Sequence, residues 1–530
     1  MGSVHLRCER MFDSYFTPGQ QGAIALAMAL ALLAIGLQAK KQHTWALLSV
    51  TASAFVLRLF AAWLDPFLND WDEVFHAVVA KNMLRDPFTP MMYTDTALPL
   101  TESWTRNHVW LHKPPFFLWQ MALSLKIFGL HPWAIRLPSV LWMTALVPVT
   151  ARMAWLITKD RNTAFAAGLL ITCCYYIQEL VSGSLATDQN DAVFIALVAC
   201  SWWGLLEHWH SGKLRWALLV GLFSACAVLT KWYVGLCVFL PWGLVILSGD
   251  FQRKALFPAL GAALIALGIA GAWVLSIRIR FPELAASESR DNWLRFTEPF
   301  EGHGGSWTYH FDRIADLLPP LTIWALMPAL VWVVLRAADR RHRVLLMALP
   351  IAVHAFFAVA ATKMDGYTMV LLPLYMIAFA NLLVSLFNLV KAERYRIVIL
   401  SLALVVVAAL GLNLERTQFR HSEYHGELAS QDPWRERFRA VAYEDALLTK
   451  LKGPGPFVIF NIPSQRSYEL MFRSPHTCMD IIPTQAEVDR LRAKGYSVVV
   501  VQDTHPLDDL PHGVQVITDA ELPYPRIPRK

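Results

Sequence analysis
The stretch TWALLSVTASAFVLRLFAAWL, residues 44–64, holds a single ionisable side chain, Arg58. About 20 mainly apolar residues are what a helix needs to cross a bilayer. Blocks of this kind recur about a dozen times, at roughly 22–38, 45–64, 138–157, 163–182, 191–207, 215–230, 232–248, 257–276, 317–336, 344–362, 366–388 and 396–414. Lipid offers no hydrogen bonds to a bare backbone, so each block must close its own as a helix. With 55% hydrophobic and 17% charged residues, the chain reads as a polytopic α-helical membrane protein. The first block is short, and whether it spans fully stays open. The N-terminus lacks the ordered regions of a signal peptide and is expected to be retained.

Cations on short loops mark the cytoplasmic side. Lys40/Lys41, Lys159/Arg161, Lys213/Arg215, Arg253/Lys254, Arg336 to Arg343, and Lys391/Arg394/Arg396 all fall on one side if the blocks alternate. The other side then receives loops 65–137 and 277–316 and the tail 415–530. Within the first loop, residues 72–84 and 114–129 are apolar on one face or too short to span, and read as helices lying at the interface. Net charge is +6, but the basic residues sit in these loops rather than in an aromatic-interleaved patch, which argues against nucleic acid.

The tail carries four strand-like runs, at 456–461, 477–482, 497–503 and 514–518. A capping box opens a helix at Thr484 with Glu487, and Gly495 stops it. This predicts a membrane domain over 1–414 and a small α/β accessory domain over 415–530. No GxGxxG or Walker loop appears, so nothing points to a nucleotide. Five cysteines, Cys173, Cys174, Cys200, Cys226 and Cys237, lie in apolar blocks and read as packing residues; Cys8 and Cys478 are the pair placed to meet an oxidising compartment.

On this topology Arg58, Asp72, Glu73, His112, Lys113, Arg136, Asp188, Asp191, Lys231 and Lys363 all stand at non-cytoplasmic helix ends. Ionisable groups at such positions are costly and mark candidate function. Each also has a plainer reading. Asp70 with Glu73 fits an N-cap and its N3 partner, which leaves Asp72 unexplained. Arg58 fits a side chain snorkelling to the interface. Lys231 and Lys363 fit interfacial anchors, yet each is the sole cation of its turn on the side where cations are disfavoured. Asp188 or Asp191 fits a helix N-cap. His303, in EGHGG, fits an exposed loop; with His112 it is the candidate for a divalent metal ion, and two histidines do not complete a site.

In order along 55–380 the chain shows Asp72-Glu73, Lys113-Pro114-Pro115, Phe128-Gly129, Arg136-Leu137-Pro138-Ser139, Asp191 (or Asp188), Lys231, and Lys363 with Tyr367 and Pro373. This series resembles the polyprenyl-phosphate-sugar-dependent glycosyltransferases of GT-C fold, in the pattern of bacterial protein O-mannosyltransferases and lipid A aminoarabinose transferases (glycosyltransferase family 39-like). One departure is His112, where the aminoarabinose transferases usually carry an acidic residue.

The resemblance implies a sugar donor on an undecaprenyl or dolichyl monophosphate and an acceptor on the outer face. It implies inversion at the anomeric carbon, and a place in a bacterial inner membrane with site and tail on the periplasmic side. Asp72 then serves as base or acceptor-orienting carboxylate, supported by Glu73, and Asp191 or Asp188 orients hydroxyls. Lys113, Arg58, Lys231 and Lys363, with Tyr367 and Arg136, are the candidates for the lipid phosphate. Trp71 and Trp307 are candidates for stacking on sugar or lipid, or for belt packing. The rivals are a lipid-linked-sugar flippase or transporter, an O-antigen ligase or polymerase, and a membrane scaffold. No midplane polar pathway or internal repeat speaks for a transporter.

Overall fold
A computed structural model of the protein describes residues 16–69, 71–94, 104–183, 188–248, 253–319, 321–414, 435–502 and 509–522. The chain divides into two compact units. One comprises Met1–Leu64, Lys113–Phe117 and Arg136–Gln418; the other comprises Asp65–His112, Leu118–Ile135 and Phe419–Lys530.

The first unit is a helical bundle, and the protein is an integral membrane protein. Among the described residues nine helices are long and apolar enough to cross a bilayer, or up to eleven if each of two bent pairs forms one span. The polar turns between them carry their start signals. Thr17 and Gln20 form a capping box ahead of helix Pro18–Ala39. Asp160 accepts the Asn162 and Thr163 amides at the start of helix Arg161–Thr172, and Asp339 accepts that of Arg341 ahead of helix Arg340–Val359. Helix Asp188–Ser211 lies at the heart of the bundle, with 83% of its apolar window buried against 11% for helix Glu393–Leu412. The latter therefore keeps most of its surface for lipid.

Two expected spans are broken. The block at 163–182 forms helices Arg161–Thr172 and Tyr175–Ser182, bent by 42°. The block at 232–248 is not one helix. Helix Leu214–Lys231 stops at Trp232, whose φ is 62°, and a 3₁₀ turn Trp232–Leu236 and a short helix Phe239–Ser248 follow. Ten residues make about 15 Å of helix, half of the hydrocarbon core. The turn folds back on the helix it leaves: a Cβ on Gly235 would stand 2.7 Å from the Val228 amide nitrogen. Gly235→Ala is therefore expected to force the backbone apart and lower stability by about 1–3 kcal/mol, read as a fall in thermal midpoint in detergent.

In the second unit four parallel strands, β1 Phe457–Phe460, β2 Thr477–Cys478, β3 Ser497–Gln502 and β4 Gln515–Thr518, lie in the order β2-β1-β3-β4. Helix Ser464–Arg473 crosses from β1 to β2, and helix Gln485–Ala493 from β2 to β3. The unbroken apolar runs FVIF and VVVV fit central strands buried on both faces. The Thr484–Glu487 box and Gly495, at φ 87°, bound the second helix as expected. The tail does not build this unit alone, because helix Asp72–Asn82 packs within it. Phe75 meets Tyr468 at 4.5 Å between ring centroids, and the Tyr468 hydroxyl donates to the Thr105 carbonyl at 2.9 Å. The sequence pattern places that helix at an interface on one apolar face. Instead Asp72, Glu73 and His76 are buried along with Val74, Phe75, Val78 and Val79, so it is a core helix.

Candidate functional site
Helices Asp188–Ser211 and Leu214–Lys231 form a tight antiparallel pair, so the start of one meets the end of the other. Asp191, in the first turn of the former, forms an ion pair with Lys231, the last residue of the latter. The Asp191 carboxylate is 5% exposed and the Lys231 side chain 25%, so one partner is sealed and the other reaches toward the surface. The Lys231 ammonium also stands over the Tyr367 ring, 5.2 Å from its centroid. Tyr367 opens the 3₁₀ turn Tyr367–Leu371 and stacks on His310 at 6.2 Å. Beside it the Tyr309 hydroxyl donates to Asp365 at 2.5 Å, and Arg313 approaches the same carboxylate at 3.6 Å. The structure thus joins Asp191, Lys231 and Tyr367 and adds Tyr309, His310, Arg313 and Asp365, which no sequence motif singles out. Their one sequence signal is Gly305 in EGHGG. A Cβ there would meet the Tyr309 ring at 2.5 Å and the Lys363 side chain at 3.3 Å. Asp188 opens the same helix as Asp191, but its side chain lies outside the described residues, as does Asp70.

Three cations expected to bind phosphate donate to carbonyls at helix ends. The buried Arg58 donates to the carbonyls of Ile171 at 2.7 Å and Thr172 at 2.8 Å, the last residues of helix Arg161–Thr172. Arg136, fully buried, donates to the Ala62 carbonyl at 3.1 Å, the end of helix His43–Ala62. Lys363 places its ammonium on the carbonyls of Phe357, Ala358 and Ala360, at 2.9, 2.7 and 2.5 Å, at the end of helix Arg340–Val359. An ammonium has three N–H donors, and those of Lys363 are matched by three carbonyls. The physical reason is common to all three. A helix end leaves its last carbonyls unpaired and partly negative, and where water is scarce a cation is the available donor. Arg58→Met is expected to lower stability by about 2–4 kcal/mol, since it strands two buried carbonyls. Thermal unfolding checks it, and protein that folds should keep its donor KM.

In the second unit, Trp71 occupies the N-cap position of helix Asp72–Asn82 without a capping side chain. Glu73 reaches back to accept the Asn69 amide at 2.6 Å, and the expected Asp70–Glu73 cap falls on Asp70, outside the described residues. Trp71 packs edge-on to Phe75 and Trp104, and Trp104 stacks on His112 at 4.2 Å, giving an aromatic cluster next to Asp72. Trp71 has φ 73° and Trp232 has φ 62°. Both lie in the region that favours glycine, which costs about 1–3 kcal/mol for a bulky residue. These two strained tryptophans directly adjoin Asp72 and Lys231 in the chain. Trp307 is 73% exposed. Lys113 is half-buried at the head of helix Phe116–Phe128.

No group of three His, Cys, Asp or Glu that could hold a metal ion occurs among the described residues. His112 is stacked in the aromatic cluster, and His303 is exposed. Cys478 is a buried free thiol in β2, and Cys8 lies outside the described residues.

Residues 112–274 match the family described as dolichyl-phosphate-mannose-protein mannosyltransferase. That stretch contains Lys113, Arg136, Asp191 and Lys231. An undecaprenyl phosphate-alpha-4-amino-4-deoxy-L-arabinose arabinosyl transferase of Pseudomonas fluorescens is 28% identical over 62% of this chain and 58% of its own length. A transferase of the same description from an Enterobacter species is 25% identical over 49% of this chain and 47% of its own. The chain thus spans about half the length of these curated relatives. Among solved structures, ArnT from Cupriavidus metallidurans bound to undecaprenyl phosphate superposes with a TM-score of 0.59 at 18% identity, covering 85% of this chain and 88% of that one. The Archaeoglobus fulgidus oligosaccharyltransferase superposes at 0.53 with 12% identity, covering 82% of this chain and 64% of that one. By its fold the chain is a polytopic α-helical membrane protein of GT-C type, and in sequence it is similar to the undecaprenyl phosphate-aminoarabinose arabinosyl transferases.

Proposed function
We propose that the protein is a membrane glycosyltransferase. It moves a sugar from a polyprenyl monophosphate, undecaprenyl or dolichyl, to a lipid, glycan or protein acceptor on the outer face of the membrane, with inversion at the anomeric carbon. The host membrane is the bacterial inner membrane, with the site and the tail on its periplasmic side. The observation that carries this reading is the Asp191–Lys231 pair, its carboxylate sealed, beside Tyr367 in a chain with this fold.

The reaction needs an acceptor hydroxyl to give up a proton and a lipid phosphate to leave with its charge stabilised. Asp72 is the base or the acceptor-orienting carboxylate. Asp191 orients sugar or acceptor hydroxyls, held in place by Lys231. Lys231 and Lys113 receive the phosphate charge, as compact cations that need no planar partner. Arg58, Arg136 and Lys363 act at one remove, by fixing the ends of helices Arg161–Thr172, His43–Ala62 and Arg340–Val359 in the bundle. Trp71 and Trp104 offer rings on which a sugar can stack.

The test is transfer in vitro from a panel of radiolabelled polyprenyl-phosphate sugars, comparing wild type with Asp72→Asn. Transfer by wild type that collapses in the variant is expected and names the donor. No binding and no transfer by wild type would overturn the reading in favour of a flippase or scaffold. Equal transfer by both proteins would keep the class and move the base to Glu73 or Asp191.

A further inference from the structure
A cavity of about 60 Å³ lies within the second unit, away from the carboxylates just described. It is lined by Lys81, Asn82, Arg85, Tyr93, Thr94 and His476 among others, and no Asp or Glu is among its described lining residues. One water needs about 10–15 Å³, so the cavity has room for a small anion with several oxygens. It reaches the surface at Arg85 and Thr94, both exposed.

Lys81, in the last turn of helix Asp72–Asn82, is the pivot. Its ammonium donates to the carbonyls of Met471 and Ser474, both at 2.5 Å, at the end of helix Ser464–Arg473. Those two bonds hold it in place and leave one of its three N–H donors. Its charge meets the partial negative charge of that helix end. The nearby Arg85 adds a second cation, and His476 brings a buried Nδ1 with no hydrogen-bond partner among the described residues. Burial pushes the Lys81 ammonium down to about 8; the Cys478 thiol offsets this in part and Arg85 adds to it. The His476 imidazole is lowered by burial and by Lys81. Two cations and an imidazole therefore face one small cavity with no carboxylate among its described lining.

We infer that this cavity binds a phosphate group, its oxygens received by the Lys81 ammonium, the Arg85 guanidinium and the His476 imidazole. Three donors from two chain segments match an anion with oxygens in several directions, and the guanidinium can take two of them at once. The group is either inorganic phosphate or the monoester head of a lipid. The site stands on the second unit alone and does not depend on the transferase reading.

The experiment uses the full chain in detergent. Equilibrium dialysis measures radiolabelled inorganic phosphate, and a parallel arm uses dihexanoyl phosphatidic acid with dihexanoyl phosphatidylcholine as control. The variants are Arg85→Ala with His476→Ala, which leave the Lys81 cap intact, and thermal midpoints verify folding. Saturable binding of inorganic phosphate that weakens by about tenfold or more in the double variant is expected. Variant-sensitive binding of phosphatidic acid alone would place the same group on a lipid. Binding should weaken above pH 8, as Lys81 sheds the proton that the anion favours, with Arg85, Cys478 and His476 the other titratable neighbours. No saturable binding of either probe, or binding unchanged in the folded double variant, would overturn the inference.

Discussion

Lys231→Met and Asp191→Asn are each expected to cut sugar transfer by about 10²–10³-fold, the loss typical of removing one preorganised charge from a developing anion. The two effects should not add. Each residue holds the other, so the double variant should be little worse than the poorer single one, with a coupling of about 1–3 kcal/mol. The geometry supports this: the Asp191 carboxylate is 5% exposed and bonded to the Lys231 ammonium, so losing either residue breaks the same sealed contact. Single-turnover transfer on the four proteins checks it. Fully additive losses would mean that the two residues act in separate places. Donor binding separates their roles: Lys231→Met should weaken it, while Asp191→Asn should act mainly on the chemical step.

Asp72→Asn should lower transfer by about 10²–10⁴-fold while leaving the thermal midpoint near that of wild type. Glu73→Gln should do the reverse, lowering stability by about 1–3 kcal/mol with a smaller loss of transfer in protein that folds. Neighbours in sequence, they differ because Glu73 is 1% exposed and its carboxylate accepts the Asn69 amide at 2.6 Å, a bond that closes the turn into the helix. Asp72 sits at the first helical position, beside a tryptophan held at φ 73°. A backbone strained by about 1–3 kcal/mol persists only when its surroundings over-determine it, and here they fix the residue before Asp72. Transfer rates and melting curves on the same preparations decide the matter. A large stability loss in Asp72→Asn with normal transfer would make Asp72 a structural residue.

Similar reasoning explains which charges are legible in the sequence. Asp191 and Lys231 stand out because a charge in an apolar chain is expensive, and their helices are consecutive with a short connection. An antiparallel pair must bring the start of one helix to the end of the next. Arg58, Arg136 and Lys363 stand out for the same reason, but local sequence does not name their partners. Their donors meet carbonyls of helices that pack beside them, as Arg58 meets Ile171 and Thr172 more than a hundred positions on. Tyr309, His310 and Asp365 carry little local signal. They gain a role only because a 3₁₀ turn and a glycine-rich loop come together around Tyr367.

What the sequence by itself determined is the membrane-spanning bundle, the order of its helices, the strands of the tail and the positions where charge is out of place. Each follows from local physics: a backbone in lipid must close its own hydrogen bonds, and short apolar runs separated by helical stretches become strands of an α/β layer. Only the tertiary structure decided which of those charges meet each other and which meet the ends of helices. It also decided that helix Asp72–Asn82 is a core element of the second unit rather than a helix resting on a membrane. Which carbonyl a buried cation finds is set by the packing of elements distant in sequence, and the spacing of residues along the chain holds no record of that distance.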